Sequence, residues 1–333
     1  MQSADINDQR IIPSTNGPGP ILVPFRSSDS GMLNANSGLV RRHFSFFLFL
    51  LTSVFVFWNP LSNLATFSLT RDYGSHIPLV VPASAYLIVL NRREVFSRLQ
   101  SNFVVAITLL SAATTLLWVA HYHRVGSNYF SIEILALVAL WISGFVLCYG
   151  SHAFRAARFP LLFLLWMVPI PDFLLDQVIN ALQVGSAAVA YWLFRALHVP
   201  VLQEGFVLLL PGLEIEVAKE CSGIRSSVAL LITALLVGQF LLRSLWRKSF
   251  LILSAIPILI LKNGVRIVTI SLLTIHVDRR FLHGSLHTSG GIVFYLLGLL
   301  ALLPILVLLK KGEIRSHTSP AKMPPFEAPD GPR

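Results

Sequence analysis

The sequence predicts an all-α polytopic membrane protein of about eight transmembrane helices, with a short β-hairpin-like segment on the extracytoplasmic side. Three observations carry that prediction. Hydrophobic residues make up 54% of the 333 positions and charged residues only 13%, whereas a soluble domain is about 25% charged. Between Phe44 and Leu309 the chain is a succession of long apolar runs, several near the roughly 20 residues that cross a hydrocarbon core as a helix. The net charge of +10 is split into short clusters between those runs rather than gathered in one patch. Lys and Arg clusters of that kind set topology on the cytoplasmic side, so the lipid bilayer is the expected partner and nucleic acid is not.

Residues 1–40 are polar and rich in Gly, Pro, Ser and Asn, and are expected to form a disordered cytoplasmic tail. The membrane domain covers 41–310. Residues 311–333, basic and then Pro-rich, are expected to be a second disordered cytoplasmic tail. The spans read as 43–59, 77–91, 102–120, 131–149, 174–197, 222–242, 249–275 and 288–309. Basic clusters at Arg41/Arg42, Arg92/Arg93/Arg98, Arg155/Arg158, Arg243/Arg247/Lys248 and Lys310/Lys311 all share one side if both termini are cytoplasmic. Residues 159–173 are apolar but short, and contain Pro160, Pro169 and Pro171. Counting them as a crossing would put Arg243, Arg247 and Lys248 outside, so they read as a re-entrant or interfacial piece.

The outer face then receives 60–76, 121–130, 198–221 and 276–287. Within the third, Val207 to Val217 partly alternates around Pro211-Gly212, which suggests a short hairpin lying over the membrane surface.

The chemistry-bearing residues fall on that outer side. Ala218-Lys-Glu-Cys-Ser-Gly-Ile-Arg225 opens the sixth span and puts Cys221 at a helix N-terminus. Unpaired amides there favour the thiolate, and Arg225 lies one turn deeper. A lone Cys in such a helix is ordinarily an inert packed residue. Two further features argue otherwise. The seventh span carries Lys262-Asn-Gly-Val-Arg266, and Lys248 to Arg266 is 18 residues, about 27 Å of helix. Arg266 is therefore expected at the outer boundary, level with Cys221, with Asn263 on the same helix face. Taken alone, such an arginine could simply snorkel to headgroups. His283-Gly-Ser-Leu-His287 then precedes the last span and brings His287 to the same depth.

Cys with His is the pairing of a thiol nucleophile and a general base. Arg cannot act as a base, but it binds carboxylates and stabilises oxyanions. The other cysteine, Cys148, is expected at the cytoplasmic end of the fourth span. That is far beyond the roughly 7 Å between Cα atoms that a disulfide allows, so Cys221 is expected to be a free thiol.

At these residues the chain resembles the exosortase/archaeosortase family of integral membrane proteins. The likeness rests on Cys221-Ser-Gly-Ile-Arg225, Asn263-Gly-Val-Arg266 and His287 with Gly291 and Phe294 behind it. Val168-Pro-Ile-Pro171 and Val199-Pro-Val are similar to family landmarks, and the likeness runs over roughly 45–310. It implies a sortase-like cysteine protease or transpeptidase in a prokaryotic inner (plasma) membrane, with its active site on the extracytoplasmic face. Its substrates would be exported, membrane-anchored proteins bearing a C-terminal sorting signal: a short motif such as Pro-Glu-Pro, a transmembrane helix and a basic end. The acyl fragment would pass to water or to a lipid or glycan acceptor.

Carried over, Cys221 is the nucleophile, Arg266 its electrostatic partner and His287 the base or acid, with Arg225 and Asn263 in support. Asp72-Tyr-Gly-Ser-His76 is similar to the family's Tyr-Ser-His-Gly stretch, but Gly74 is inserted and Ile77 replaces the glycine. His76 is therefore a candidate substrate-site residue, as is His283 beside His287.

Two other functions compete. A metal-dependent hydrolase would use His276, Asp278, His283 and His287, but the segment lacks the Glu of a His-Glu-x-x-His site and leaves Cys221 and Arg266 idle. A polytopic transporter would want midplane charges and paired half-repeats, and neither is found. The cysteine reading calls for no metal and no cofactor.

Overall fold

The computed structural model describes residues 28–98, 103–122, 129–217, 223–278 and 291–318. The fold is helical, with one small sheet. The helices are α1 (Ser28–Val56), α2 (Trp58–Thr70), α3 (Ile77–Leu90), α4 (Arg92–Val95), α5 (Phe103–Tyr122), α6 (Tyr129–Ala156), α7 (Arg158–Phe163), α8 (Asp172–Ala196), α9 (Ile224–Leu241), α10 (Leu245–His276) and α11 (Gly291–Thr318). Between α8 and α9 come β1 (Leu202–Glu204), β2 (Val207–Leu210) and β3 (Leu213–Glu216).

Among the described residues, six helices are long and apolar enough to cross a membrane: α1, α6, α8, α9, α10 and α11. Two of the expected spans are shorter apolar helices, Ile77–Leu90 and Val104–Ala120. Large side chains on these helices face outward, among them Phe55, Val104, Trp192, Leu253 and Leu300. Such residues would be costly in water and suit lipid. The protein is an all-α polytopic membrane protein. Helices α1 and α11 reach past the expected domain limits of 41 and 310, to Ser28 and Thr318.

The first half packs around α6. Trp141 donates to Ser53 Oγ of α1 at 2.8 Å, and Ser143 donates to the Ala106 carbonyl of α5 at 3.0 Å. The expected end of the fourth span coincides with a break in α6, where Gly150 leaves helical geometry (φ 91°, ψ 174°). Residues 158–167 form α7 and a 3₁₀ turn, with Pro160, Leu161, Phe163, Leu164 and Met167 buried. Ser84 of α3 satisfies the Pro160 carbonyl at 2.7 Å. This segment thus has the protein cover that a short, Pro-interrupted piece at membrane depth requires.

The basic clusters gather at one end of the bundle. Arg42 of α1 donates to the Cys148 carbonyl of α6 at 2.9 Å, and Phe96 meets Tyr149 ring to ring at 5.0 Å. Glu313 of α11 accepts from the N–H groups of Arg243 and Ser244 and pairs with Arg247 at 3.6 Å. It thereby places a carboxylate just before the start of α10, where the helix dipole favours negative charge.

The sheet lies at the other end. The anticipated hairpin is β2–β3, with Leu210 opposite Leu213 across a Pro211-Gly212 turn. Gly212 takes φ +74°, the left-handed value that a Pro-Gly type II turn needs at its second position. A third strand, β1, was not expected; three residues show too little alternation to be read from sequence. Leu208, Leu210 and Val217 sit on Ala187, Ala190 and Phe194 of α8 and on Ile267 and Val268 of α10.

Candidate active site at the start of α9

Helices α8, α9 and α10 meet beneath the sheet. Buried Gln183 of α8 donates to the Val217 carbonyl, which fixes the chain where it leaves β3. The chain returns at Gly223, the residue that precedes α9. It has φ +67°, a left-handed conformation that L side chains seldom adopt. A Cβ there would also stand 2.7 Å from Asn263 Oδ1. The glycine of the Cys-Ser-Gly-Ile-Arg motif thus allows the start of α9 to press against the Asn-Gly-Val-Arg motif of α10.

The second motif glycine has a similar cause. A Cβ on Gly264 would lie 2.4 Å from Val189 Cγ1 and 3.3 Å from the Ala190 nitrogen, so α8 and α10 touch there. Asn263 is 1% exposed and donates through Nδ2 to Ser186 Oγ of α8 at 2.9 Å. Arg266, three residues on, is buried at 9% exposure, and α10 runs on to His276. Arg266 therefore lies well inside the helix, one turn beyond the level at which α9 begins. Arg225 is exposed, while its neighbours Ser226 and Ser227 are buried.

Cys221, His283 and His287 lie outside the described residues. Among the described residues Cys148 is a free cysteine. His276, from the metal alternative, is exposed and hydrogen-bonded to the Leu272 carbonyl of its own helix at 3.0 Å. Sequence reasoning gave no role to Lys262, Ser226, Ser186 or Gln183. Lys262 alone carried a signal, as a charge inside an apolar span.

His76 belongs to a neighbouring cavity of about 310 Å³, lined by Phe67, Tyr73, Trp166, Pro169, Ile170 and Val228 among others. Val228 is on α9, so the cavity reaches the second turn of that helix. His76 bonds through Nε2 to the Trp166 carbonyl at 3.0 Å and meets the Trp166 ring edge-on at 6.0 Å. Burial pushes its pKa below the ordinary 6.5, against backbone hydrogen bonds to Trp166 and Tyr73 that raise it.

The folded state therefore binds this proton less tightly than the unfolded chain. Its effect on stability is nil above about pH 6.5, becomes increasingly destabilising as the pH falls from there, and levels off below the depressed value. His76→Gln is expected to flatten that part of the acid profile. Thermal midpoints of both proteins at about pH 7.5 and about pH 5 check this. An identical acid loss in both would assign the effect to other groups.

No curated protein and no solved structure matches the chain. Residues 68–304 match the family model of the transmembrane exosortase, a stretch that runs from the end of α2 into α11 and includes all three motif segments. The chain belongs to the transmembrane exosortase family, a membrane protein with a transpeptidase-like role.

Proposed function

We propose that this protein is a membrane-embedded cysteine transpeptidase that cleaves C-terminal sorting signals from exported proteins. The observation that carries the reading is the contact between two motifs far apart in sequence: Gly223, two residues after Cys221 in the chain, packs directly on Asn263. Arg266 follows Asn263 by one turn on the same buried face.

In this reading the Cys221 thiolate attacks the scissile carbonyl carbon, and the oxygen becomes an oxyanion that Arg266 stabilises. Collapse breaks the C–N bond, and protonated His287 supplies the proton that the leaving amine needs. The thioester left on Cys221 is then resolved by an amine or hydroxyl of a lipid or glycan acceptor, or by water. Arg225 and Asn263 support the two motif segments. His76 shapes the neighbouring cavity, where apolar side chains flanking the scissile bond would fit, and His283 stands in reserve beside His287.

The orientation follows from the basic clusters, which collect at the opposite end of the bundle from the start of α9. With those clusters cytoplasmic, the active site is extracytoplasmic in a prokaryotic inner membrane.

Trapping tests the reading. The protein is expressed with a substrate carrying a C-terminal signal helix, and mass spectrometry is used to look for a thioester on Cys221. The expected adduct is absent in Cys221→Ser and forms more slowly in His287→Ala, which lacks the proton donor for the leaving amine. Efficient cleavage by Cys221→Ser would refute a thiol mechanism.

A further inference from the structure

Two cations meet at the basic end of the bundle, on the seam between its first and second halves. Helix α7 packs on α3 and α6, and Ile232, Leu235 and Leu236 of α9 close the seam against the first-half core. Arg158, the first residue of α7, is exposed and lies within electrostatic reach of Lys248 on α10. Lys248 Nζ donates to Gln239 Oε1 of α9 at 2.7 Å, so its hydrogen-bond partner there is a neutral amide. Glu313 also acts on Lys248, but its oxygens accept from the Arg243 and Ser244 N–H groups and pair with Arg247. Arg155 adds another exposed cation three residues before Arg158.

Marking topology does not require this arrangement. Basic residues orient a span wherever they flank its ends, so cations on separate elements gain nothing from being held together. Like charges held near one another repel, and an anion between them offsets that cost. The chemistry of the anion is indicated by what stands above the cations. Leu162 and Leu165 follow Arg158 at i+4 and i+7, which puts all three on one face of 158–167. The two leucines are 50% and 42% exposed, while Pro160, Leu161, Phe163 and Leu164 on the opposite face are buried. A positive charge at the membrane surface, with an apolar stripe running from it into the bilayer, matches a phosphate joined to an acyl chain. It does not match a free ion, which would have no use for the stripe.

We propose that this seam binds one anionic phospholipid from the leaflet at the basic end. Its phosphate sits between Arg158 and Lys248, and an acyl chain lies along Leu162 and Leu165. Arg158 supplies a two-pronged donor and Lys248 a point charge, so the headgroup bridges the two halves of the bundle. The site is independent of the residue that acts as nucleophile, and it stands or falls separately from the transpeptidase reading.

Native mass spectrometry of the full-length protein in detergent tests it, with phosphatidylglycerol and phosphatidylcholine of identical acyl chains as probes. Wild type is expected to hold one phosphatidylglycerol at least about fivefold more tightly than phosphatidylcholine, as one or two added charge contacts require. Arg158→Gln and Lys248→Gln are each expected to weaken phosphatidylglycerol about fivefold and to leave phosphatidylcholine unchanged. They lie on different elements, so either serves if the other fails to fold. Leu162→Asn is expected to weaken both lipids, because it strikes the chain and not the headgroup.

The double variant Arg92→Gln/Arg93→Gln removes two cations from the same end without touching the seam, and is expected to bind as wild type does. An equal loss in that double variant would mean diffuse attraction to basic residues and would overturn the site. Equal binding of the two lipids by wild type would overturn it as well. So would displacement of the lipid by inorganic phosphate, which would make this an ion site.

Discussion

Cys221→Ala and Arg266→Ala are each expected to end processing of signal-bearing substrates while the protein still inserts in normal amount. For Cys221 the reason is chemical. Alanine offers no group that can form the thioester, so turnover should fall by at least about 10⁴-fold. For Arg266 the reason is electrostatic. Loss of one preorganised donor to a developing oxyanion costs about 10²–10³ in rate.

The fold is suited to such preorganisation. Arg266 is buried on a helix whose preceding turn is clamped by the Asn263–Ser186 hydrogen bond and by the close approach of Gly264 to α8. Arg266→Lys separates charge from geometry, because it keeps the cation and loses the planar, two-pronged donor. It is expected to retain only a small part of the activity. Cleavage of the substrate on gels, beside an immunoblot of the membrane fraction, measures all three variants. Undiminished cleavage by Cys221→Ala would sink the mechanism, and undiminished cleavage by Arg266→Lys would show that charge alone suffices.

Gly264→Ala is expected to destabilise the fold by about 1–3 kcal/mol, the usual cost of overpacking. The added methyl would sit 2.4 Å from Val189 Cγ1, far inside van der Waals contact, and 3.3 Å from a backbone nitrogen that cannot rotate away. Helices α8 and α10 must then separate, and the Asn263–Ser186 bond lies at that same seam. The effect should therefore reach activity as well as thermal stability. Val189→Ala removes the side chain that Gly264→Ala would strike, so the double variant is expected to recover most of the lost stability. Thermal unfolding of the four proteins in detergent closes the cycle. Strictly additive losses would mean that the two helices are not in contact at this point.

The membrane class, the run boundaries and the basic clusters were legible because hydropathy and charge are local sums over about 20 residues. The break at Gly150 falls where the fourth span was expected to end, and the Pro-Gly turn of β2–β3 was visible for the same local reason. The three motif segments were legible as a family pattern, since their polar residues interrupt long apolar runs. Strand β1 was not, because three residues carry no periodicity that outweighs their neighbours.

By itself, then, the sequence determined that this chain is a polytopic membrane protein, which family motif segments it carries, and where along its apolar runs the positive charge collects. Only the tertiary structure decided who touches whom. That Gly223 must lack a side chain because Asn263 occupies its space, or that Lys262 reaches Ser226 rather than lipid, depends on the distance between two helices. Such a distance is set by the summed volumes of side chains on several elements, Gly264 against Val189 and Gly298 against Lys262 among them. No window along one helix contains those volumes.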